Sequence, residues 1–315
     1  MTNASWRLFR GDGVPRGIES LPPAPPWRRF GNRPRSDTNA SPYLISPGHA
    51  DVVSAALHLR RPLLVTGQPG TGKSSLARAI AHELQLGEVL HWPVNSRSTV
   101  SEALYRYDAV GRLRETALTR DQEREEPPIG TFVRLGPLGT ALVPRPRPRV
   151  LLVDELDKGD VDLPNDLLTV FEEGEYEIPE LARLPEDQSV VEVLSADADT
   201  QVRVVRGRVR CQEFPVVVIT SNGERDFPPA FLRRCVRLEL PPPDSERLRE
   251  IVAAHLGQEA ASSVDDLLRD FLSRRQRGGL ATDQLLNAVF LRAGGVDLDA
   301  DGLLEAVVHR LGGTI

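Results

Sequence analysis

Lysine is almost missing from this chain. It occurs twice, once as Lys73, while the other 37 of the 39 basic residues are arginine. Cysteine is as sparse: Cys211 and Cys235 stand alone and far apart, which excludes a disulfide framework and gives no zinc-ligand spacing. No apolar run approaches the roughly 18 residues of a membrane span. The opening Met1-Thr-Asn-Ala-Ser-Trp-Arg7 lacks the apolar core of a signal peptide, so the sequence reads as cytoplasmic. Aromatics make up 5% of the chain and the formal net charge is -6, an ordinary globular balance with no global electrostatic pull toward nucleic acid.

Against that background, the position of Lys73 is informative. It lies in Gly67-Gln68-Pro69-Gly70-Thr71-Gly72-Lys73-Ser74, the spacing Gly-x4-Gly-Lys-Ser, followed by Ser75. The preceding Pro62-Leu-Leu-Val-Thr66 reads as a buried strand. The following residues place apolar side chains at 76, 79, 80 and 84, one face of a helix. Strand, glycine loop and helix is the context of a phosphate-binding P-loop. Glycines let successive backbone N–H groups turn toward phosphate oxygens, and the helix adds the positive end of its dipole. In such a loop Lys73 neutralises the β- and γ-phosphates and the Ser74 hydroxyl ligates Mg²⁺.

The remaining sequence divides into three stretches: residues 1–42, 43–240 and 241–315. The first 47 residues hold eight of the 26 prolines and seven arginines against three acids. With Trp6, Phe9, Trp27 and Phe30 among them, this segment is either a docking arm for a partner or a loosely packed tail. After a helix at 48–60, strands at 88–92, 149–153 and 215–220 alternate with helices. Their continuous apolar runs suit parallel strands covered on both faces. Asp121–Pro128 is a charged loop, and Pro144–Arg149 reads as a loop with solvated arginines. Past Pro241-Pro-Pro243 the pattern is purely helical, with Asp244 or Ser245 capping a helix through His255 and three more helices at 263–275, 282–292 and 301–311.

Val150-Leu-Leu-Val-Asp154-Glu155 is an apolar strand ending in two carboxylates about 80 residues after the P-loop. Asp154 is placed to hold Mg²⁺ and Glu155 to polarise an attacking water. Ile219-Thr-Ser-Asn222 and Phe227-Pro-Pro-Ala-Phe-Leu-Arg-Arg-Cys235 add two further segments. Together these resemble an AAA+ ATPase of the MoxR type, in its CoxD-like branch. The resemblance covers roughly residues 43–240, with weaker support in the helical part. It implies an α/β AAA+ P-loop core with a parallel sheet between helices, followed by a small all-helical lid. It also makes residues 67–74 the Walker A motif and Asp154-Glu155 the Walker B motif. Asn222 becomes the sensor that orients the water with Glu155, and Arg234, with Arg233 beside it, the arginine finger. Leu135–Gly139 and Leu167–Glu175 resemble the family's Gly-Pro turn and the helix that follows the acidic strand, with Glu172 and Glu173 as structural or interface residues. The family's sensor-2 arginine has no counterpart in Gly278-Gly-Leu-Ala-Thr-Asp283; Arg274, Arg275 or Arg277 are the nearby substitutes.

The reading that results is an ATP- and Mg²⁺-dependent ring ATPase, expected to be a hexamer. Its expected task is to remodel or mature a protein or metal-enzyme complex, with a von Willebrand A domain protein as partner. Two other classes stay open: a nucleic-acid motor or loader, and a nucleotide-gated scaffold with little turnover. The arginines at 203, 206, 208 and 210 bear on the first, since a strand-like arm with a basic face could line a ring's opening or be a solvated strand face.

Overall fold

The computed structural model describes residues 24–28, 45–121, 126–197, 200–277, 280–298 and 302–308. Most of the proline- and arginine-rich N-terminal segment, residues 122–125 of the charged loop, and Gly278 and Gly279 lie outside these. The chain divides into two units: one of residues 43–66 and 73–239, the other containing 67–72 and everything from Leu240 onward together with the described residues 24–28.

Among the described residues of the larger unit there are eleven strands: β1 (Leu63–Thr66), β2 (Leu90–Pro93), β3 (Tyr105–Tyr107), β4 (Val133–Leu135), β5 (Val150–Asp154), β6 (Glu175–Glu177), β7 (Val190–Leu194), β8 (Gln201–Val205), β9 (Arg208–Arg210), β10 (Val216–Ser221) and β11 (Val236–Glu239). Five make a sheet in the order β11-β1-β10-β5-β2, and every pairing in it is parallel. Helices cover both faces, so Val150 to Val153 lose all exposure, which is why this segment is apolar at every position rather than at alternate ones. The register aligns Thr66 with Ser221 and Val153 with Ile219, so the strands end together. The helix Lys73–Glu83 buries Leu76, Ala77, Ile80 and Ala81. The expected apolar position at Leu84 falls past the helix end and is 39% exposed.

The other six strands form a second sheet in the order β3-β4-β7-β8-β9-β6, antiparallel except where β4 meets β7. Sequence patterning points to β8 and β9 alone, within the stretch Gln201–Arg210; β3, β4 and β6 are three residues long and carry too few positions to show a period. The Leu135–Gly139 turn is the end of β4 followed by a short helix, Pro137–Ala141. The helix Leu163–Glu173 stops at Gly174 in the left-handed conformation and leads into β6. One hydrophobic core joins the two sheets, through Leu64, Val153 and Ile219 on one and Leu135, Val193 and Val204 on the other.

The second unit is helical from Ser245 onward: Ser245–Leu256, Gln258–Ser262, Asp265–Arg277, Thr282–Ala293 and Leu303–Val307. Asp244 caps the first of these by accepting the Arg247 N–H at 2.8 Å. Leu248, Leu268, Phe271, Leu285 and Val289 form its core. Trp27 packs edge-on against His255 and Phe290, with ring centroids 6.3 and 6.0 Å away. At Trp27, therefore, the N-terminal segment is neither a tail nor an arm reserved for a partner; the indole belongs to the helical core of its own unit.

Candidate functional site

The loop Gly67–Gly72 leaves the end of β1 and runs into the helix that starts at Lys73. Its backbone requires glycine. Gly70 has φ 76°, and a Cβ there would stand 2.6 Å from the Thr282 nitrogen; Gly67 has φ 151°, and its Cβ would meet the Leu240 carbonyl oxygen at 2.5 Å. Side chains are excluded on both counts, leaving a turn lined by main-chain groups. Thr71 donates its hydroxyl to the Gln68 carbonyl at 2.9 Å, closing the turn across exposed Gln68, Pro69 and Gly70. Lys73, on the first turn of the helix, is 7% exposed, and Ser75 beside it faces solvent. Burial pushes the Lys73 ammonium below the usual lysine value, against the opposing pull of Asp157, Glu155 and Asp154. An ammonium at this position offsets the repulsion that the three carboxylates would exert on an incoming phosphate.

Asp154 and Glu155 stand where β5 ends, and the matched strand ends bring them to Thr220 and Asn222. Asp154 Oδ1 accepts the Ser74 and Thr220 hydroxyls, each at 2.7 Å, and Oδ2 pairs with His91 Nε2 at 3.1 Å. Burial raises this carboxyl, but the hydrogen bonds from His91, Ser74 and Thr220 outweigh it and hold the group well below the usual carboxylate range. A carboxylate that stays ionised in direct contact with a serine hydroxyl is a hard-oxygen pair, the donor type that fits Mg²⁺ held jointly by protein and phosphates. Among the described residues no cluster of three or more His, Cys, Asp or Glu side chains could hold a metal without such help.

Glu155 takes a left-handed backbone conformation, φ 59° and ψ 51°, unusual for a residue with a side chain. Its N–H is held by Thr220 Oγ1 at 2.8 Å, so one hydroxyl anchors both acids of the strand end. Asn222 Nδ2 donates to Glu155 Oε1 at 3.1 Å, and Lys158 Nζ donates to Oε2 at 2.8 Å. Asn222 is held in turn by Asp157, 3% exposed, whose Oδ2 accepts the N–H groups of Asn222 and Glu224 at 2.9 and 3.1 Å. Oδ1 of Asp157 is buried without a hydrogen-bond partner.

The fold thus brings together Lys73, Ser74, Asp154, Glu155 and Asn222. Arg234 does not join them. Following the short helix Pro229–Leu232, its guanidinium pairs with Glu172 and donates to the Ala230 carbonyl at 3.1 Å, while Arg233 is exposed. One alternative about arginine is decided and one expectation is corrected. Arg203, Arg206, Arg208 and Arg210 are exposed, and each is paired with a glutamate: Arg203, Arg208 and Arg210 across the sheet with Glu192, Glu177 and Glu175, and Arg206 with Glu186 of a short 3-10 helix, which favours a solvated strand face over a basic one. Arg149, expected to be solvated, is instead 8% exposed and bidentate to Asp197 at 2.8 and 2.9 Å, with the Glu88 carbonyl as a third acceptor.

His91, Asp157, Lys158 and Thr220 are site residues that sequence reasoning passes over. Asp157 and Lys158 carried a faint signal, being charged residues directly after the acidic strand. His91 and Thr220 carried none, since each matters only through the strand beside it.

The family model of the AAA domain, dynein-related subfamily, matches residues 62–235, more than half of the chain. No curated protein matches. Among solved structures, a putative ATPase from Cytophaga hutchinsonii is similar at 12% identity and TM-score 0.36, over 69% of this chain and 50% of that one. NtrX from Brucella abortus, in complex with ADP, is similar at 17% identity and TM-score 0.43, over 83% of this chain and 54% of that one. The matched stretch spans about half the length of each of these two structures.

Proposed function

The chain belongs to the AAA domain family, dynein-related subfamily, and from that premise we propose that it is a Mg²⁺-dependent ATPase of MoxR type, CoxD-like, that remodels or matures a protein or metal-enzyme complex. The observation that carries the catalytic part is the Asn222–Glu155 hydrogen bond at 3.1 Å beside the Ser74–Asp154 hydrogen bond at 2.7 Å. A base and its orienting amide stand next to a hydroxyl–carboxylate pair at the ends of β5 and β10, and the other neighbour of β10, β1, leads into the phosphate loop.

In this reading the main-chain N–H groups of Gly67–Gly72 and the first turn of the helix at Lys73 take the phosphates. Lys73, a buried ammonium among carboxylates, contacts the β- and γ-phosphoryl oxygens. Ser74 and Asp154 hold Mg²⁺, which when bound neutralises charge on the phosphates. Glu155 accepts a hydrogen bond from the attacking water, and Asn222 keeps the carboxylate oriented. Arg234 acts in trans in a ring, expected to be hexameric, where such a finger is worth ~10³–10⁵ in rate. Its pairing with Glu172 holds the guanidinium on its own protomer until an anion at the neighbouring site competes for it. The von Willebrand A domain partner and the protein client rest on the family resemblance. A protein client is further favoured over nucleic acid by the four arginine–glutamate pairs, which leave the arm without net positive charge.

Glu155→Gln tests the assignment. The variant keeps its ATP affinity and loses turnover by about 10²-fold or more, because it removes the water-polarising carboxylate and leaves the phosphate ligands in place. Single-turnover hydrolysis at the parental rate would show that another group is the base.

A further inference from the structure

Of the chain's two lysines, one is in the phosphate loop. The other, Lys158, is on the second acid of the strand end. We infer that Lys158 is a positioning residue for the Glu155 carboxylate: with Asn222 it holds the two oxygens by one donor each, and thereby presents them to water in a single orientation. The inference rests on the reading of Glu155 as the base.

The geometry supports it link by link. The root of the Glu155 side chain is fixed, because its left-handed backbone is pinned by the Thr220 hydroxyl at 2.8 Å. Its far end hangs on three rotatable bonds, and Asn222 alone would leave the carboxylate free to turn about one contact. The Lys158 ammonium at Oε2 supplies the second. Both side chains of the pair are about two-fifths exposed, 42% and 41%, so this is not a buried bridge on which the fold depends.

An ammonium also suits the task in a way a guanidinium does not. Each carboxylate oxygen has about two acceptor sites, so one donor apiece leaves room for a water on either oxygen. Arginine tends to take both oxygens of a carboxylate at once through its planar fork, in competition with Asn222 and with water. In a chain where 37 of 39 basic residues are arginine, lysine stands at this position.

The test is steady-state ATP hydrolysis by the full chain as Lys158→Met, Lys158→Arg, Glu155→Gln and the double variant Glu155→Gln/Lys158→Met. Lys158→Met is expected to lower kcat roughly fivefold, the scale of an exposed ion pair, with KM for ATP and the unfolding midpoint unchanged. Lys158→Arg is expected to stay below the parent despite keeping its charge. In the Glu155→Gln background, Lys158→Met should change nothing further, since it acts only through the carboxylate. A parental or raised kcat in either single Lys158 variant overturns the inference, as does an undiminished effect of Lys158→Met in the Glu155→Gln background. Turnover retained by Glu155→Gln alone is a separate result, and sinks the assignment of the base.

Discussion

Two regions of the larger unit are crowded with charge and use it in opposite ways. Where β5 and β10 end, unlike partners converge: a buried lysine, three acids, two hydroxyls and an amide, tied by hydrogen bonds that span 65 to 80 residues of sequence. On the strip formed by β7, β8, β9 and β6, with the turn and short helix beside it, four arginines pair with four glutamates at the surface and cancel pair by pair. Between the extremes lies Arg149–Asp197, a single bidentate pair, mostly buried, that ties the start of β5 to the loop joining β7 and β8. The number of charges does not separate these regions. What separates them is burial, and whether the charges converge in one cluster or stand in separate pairs.

The largest effect is expected at the first region. Lys73→Ala removes the one buried cation there and is expected to abolish measurable ATP binding, an affinity loss of about 10²-fold or more, because a hydrogen bond between charged groups in a shielded site is worth roughly 1.5–3 kcal/mol and the carboxylates nearby then face the phosphates unopposed. Isothermal titration with ATP and Mg²⁺ measures it, and an affinity within threefold of the parent would show that the lysine is not a phosphate ligand.

The intermediate pair should show in stability and not in nucleotide affinity. Arg149→Met is expected to cost about 3 kcal/mol at neutral pH, in the range for breaking a buried bridge by removing one partner. The hydrogen bond from Arg149 holds the Asp197 carboxyl below its ordinary value. The pair's contribution is therefore fully present above the ordinary carboxylate value near 3.9, and lost as pH falls through the lower folded-state value. Denaturant unfolding of parent and variant should converge as pH drops through that window. A gap that stays constant with pH would mean that the cost of Arg149→Met is packing rather than charge.

The smallest effect belongs to the strip. Arg206→Ala with Arg208→Ala should shift stability by no more than ~0.5 kcal/mol, as exposed ion pairs do. It should leave ATPase activity unchanged in the presence of DNA or RNA near 0.15 M salt, because paired arginines give no phosphate-gripping surface whose counterion release could drive binding. Nucleic-acid stimulation in the parent that is lost in the double variant would reverse the comparison and favour a nucleic-acid motor.

Much of the first region was legible in the sequence because its determinants are local. The loop Gly67–Gly72 is a run of consecutive residues whose glycines impose the turn, and Val150–Asp154 announces itself as a strand buried on both faces. Asn222 entered through the family resemblance, and the structure places its amide in a hydrogen bond with Glu155. The arginines at 203, 206, 208 and 210 were left open for the complementary reason. Composition counts Arg203, Arg206, Arg208 and Arg210 as a cluster, but whether they attract an anion depends on glutamates 11 to 35 residues earlier in the chain. β6 and β7 were invisible, and so were the partners they bring.

The sequence by itself determined that this chain has a glycine loop with a lysine suited to phosphate, an acidic strand behind it, and a helical stretch after Pro243. Each of these is written in adjacent residues and follows from backbone sterics and apolar periodicity. Only the tertiary structure decided what the charges do. The parallel register of β5 and β10 set Thr220 between Asp154 and the Glu155 N–H and brought Asn222 to the carboxylate. The second sheet matched Arg203, Arg208 and Arg210 to acids on neighbouring strands, and the turn after β5 gave Lys158 to Glu155. A hydrogen bond needs its partner within about 3 Å, and for residues 65 positions apart only the packing of the whole sheet brings them that close.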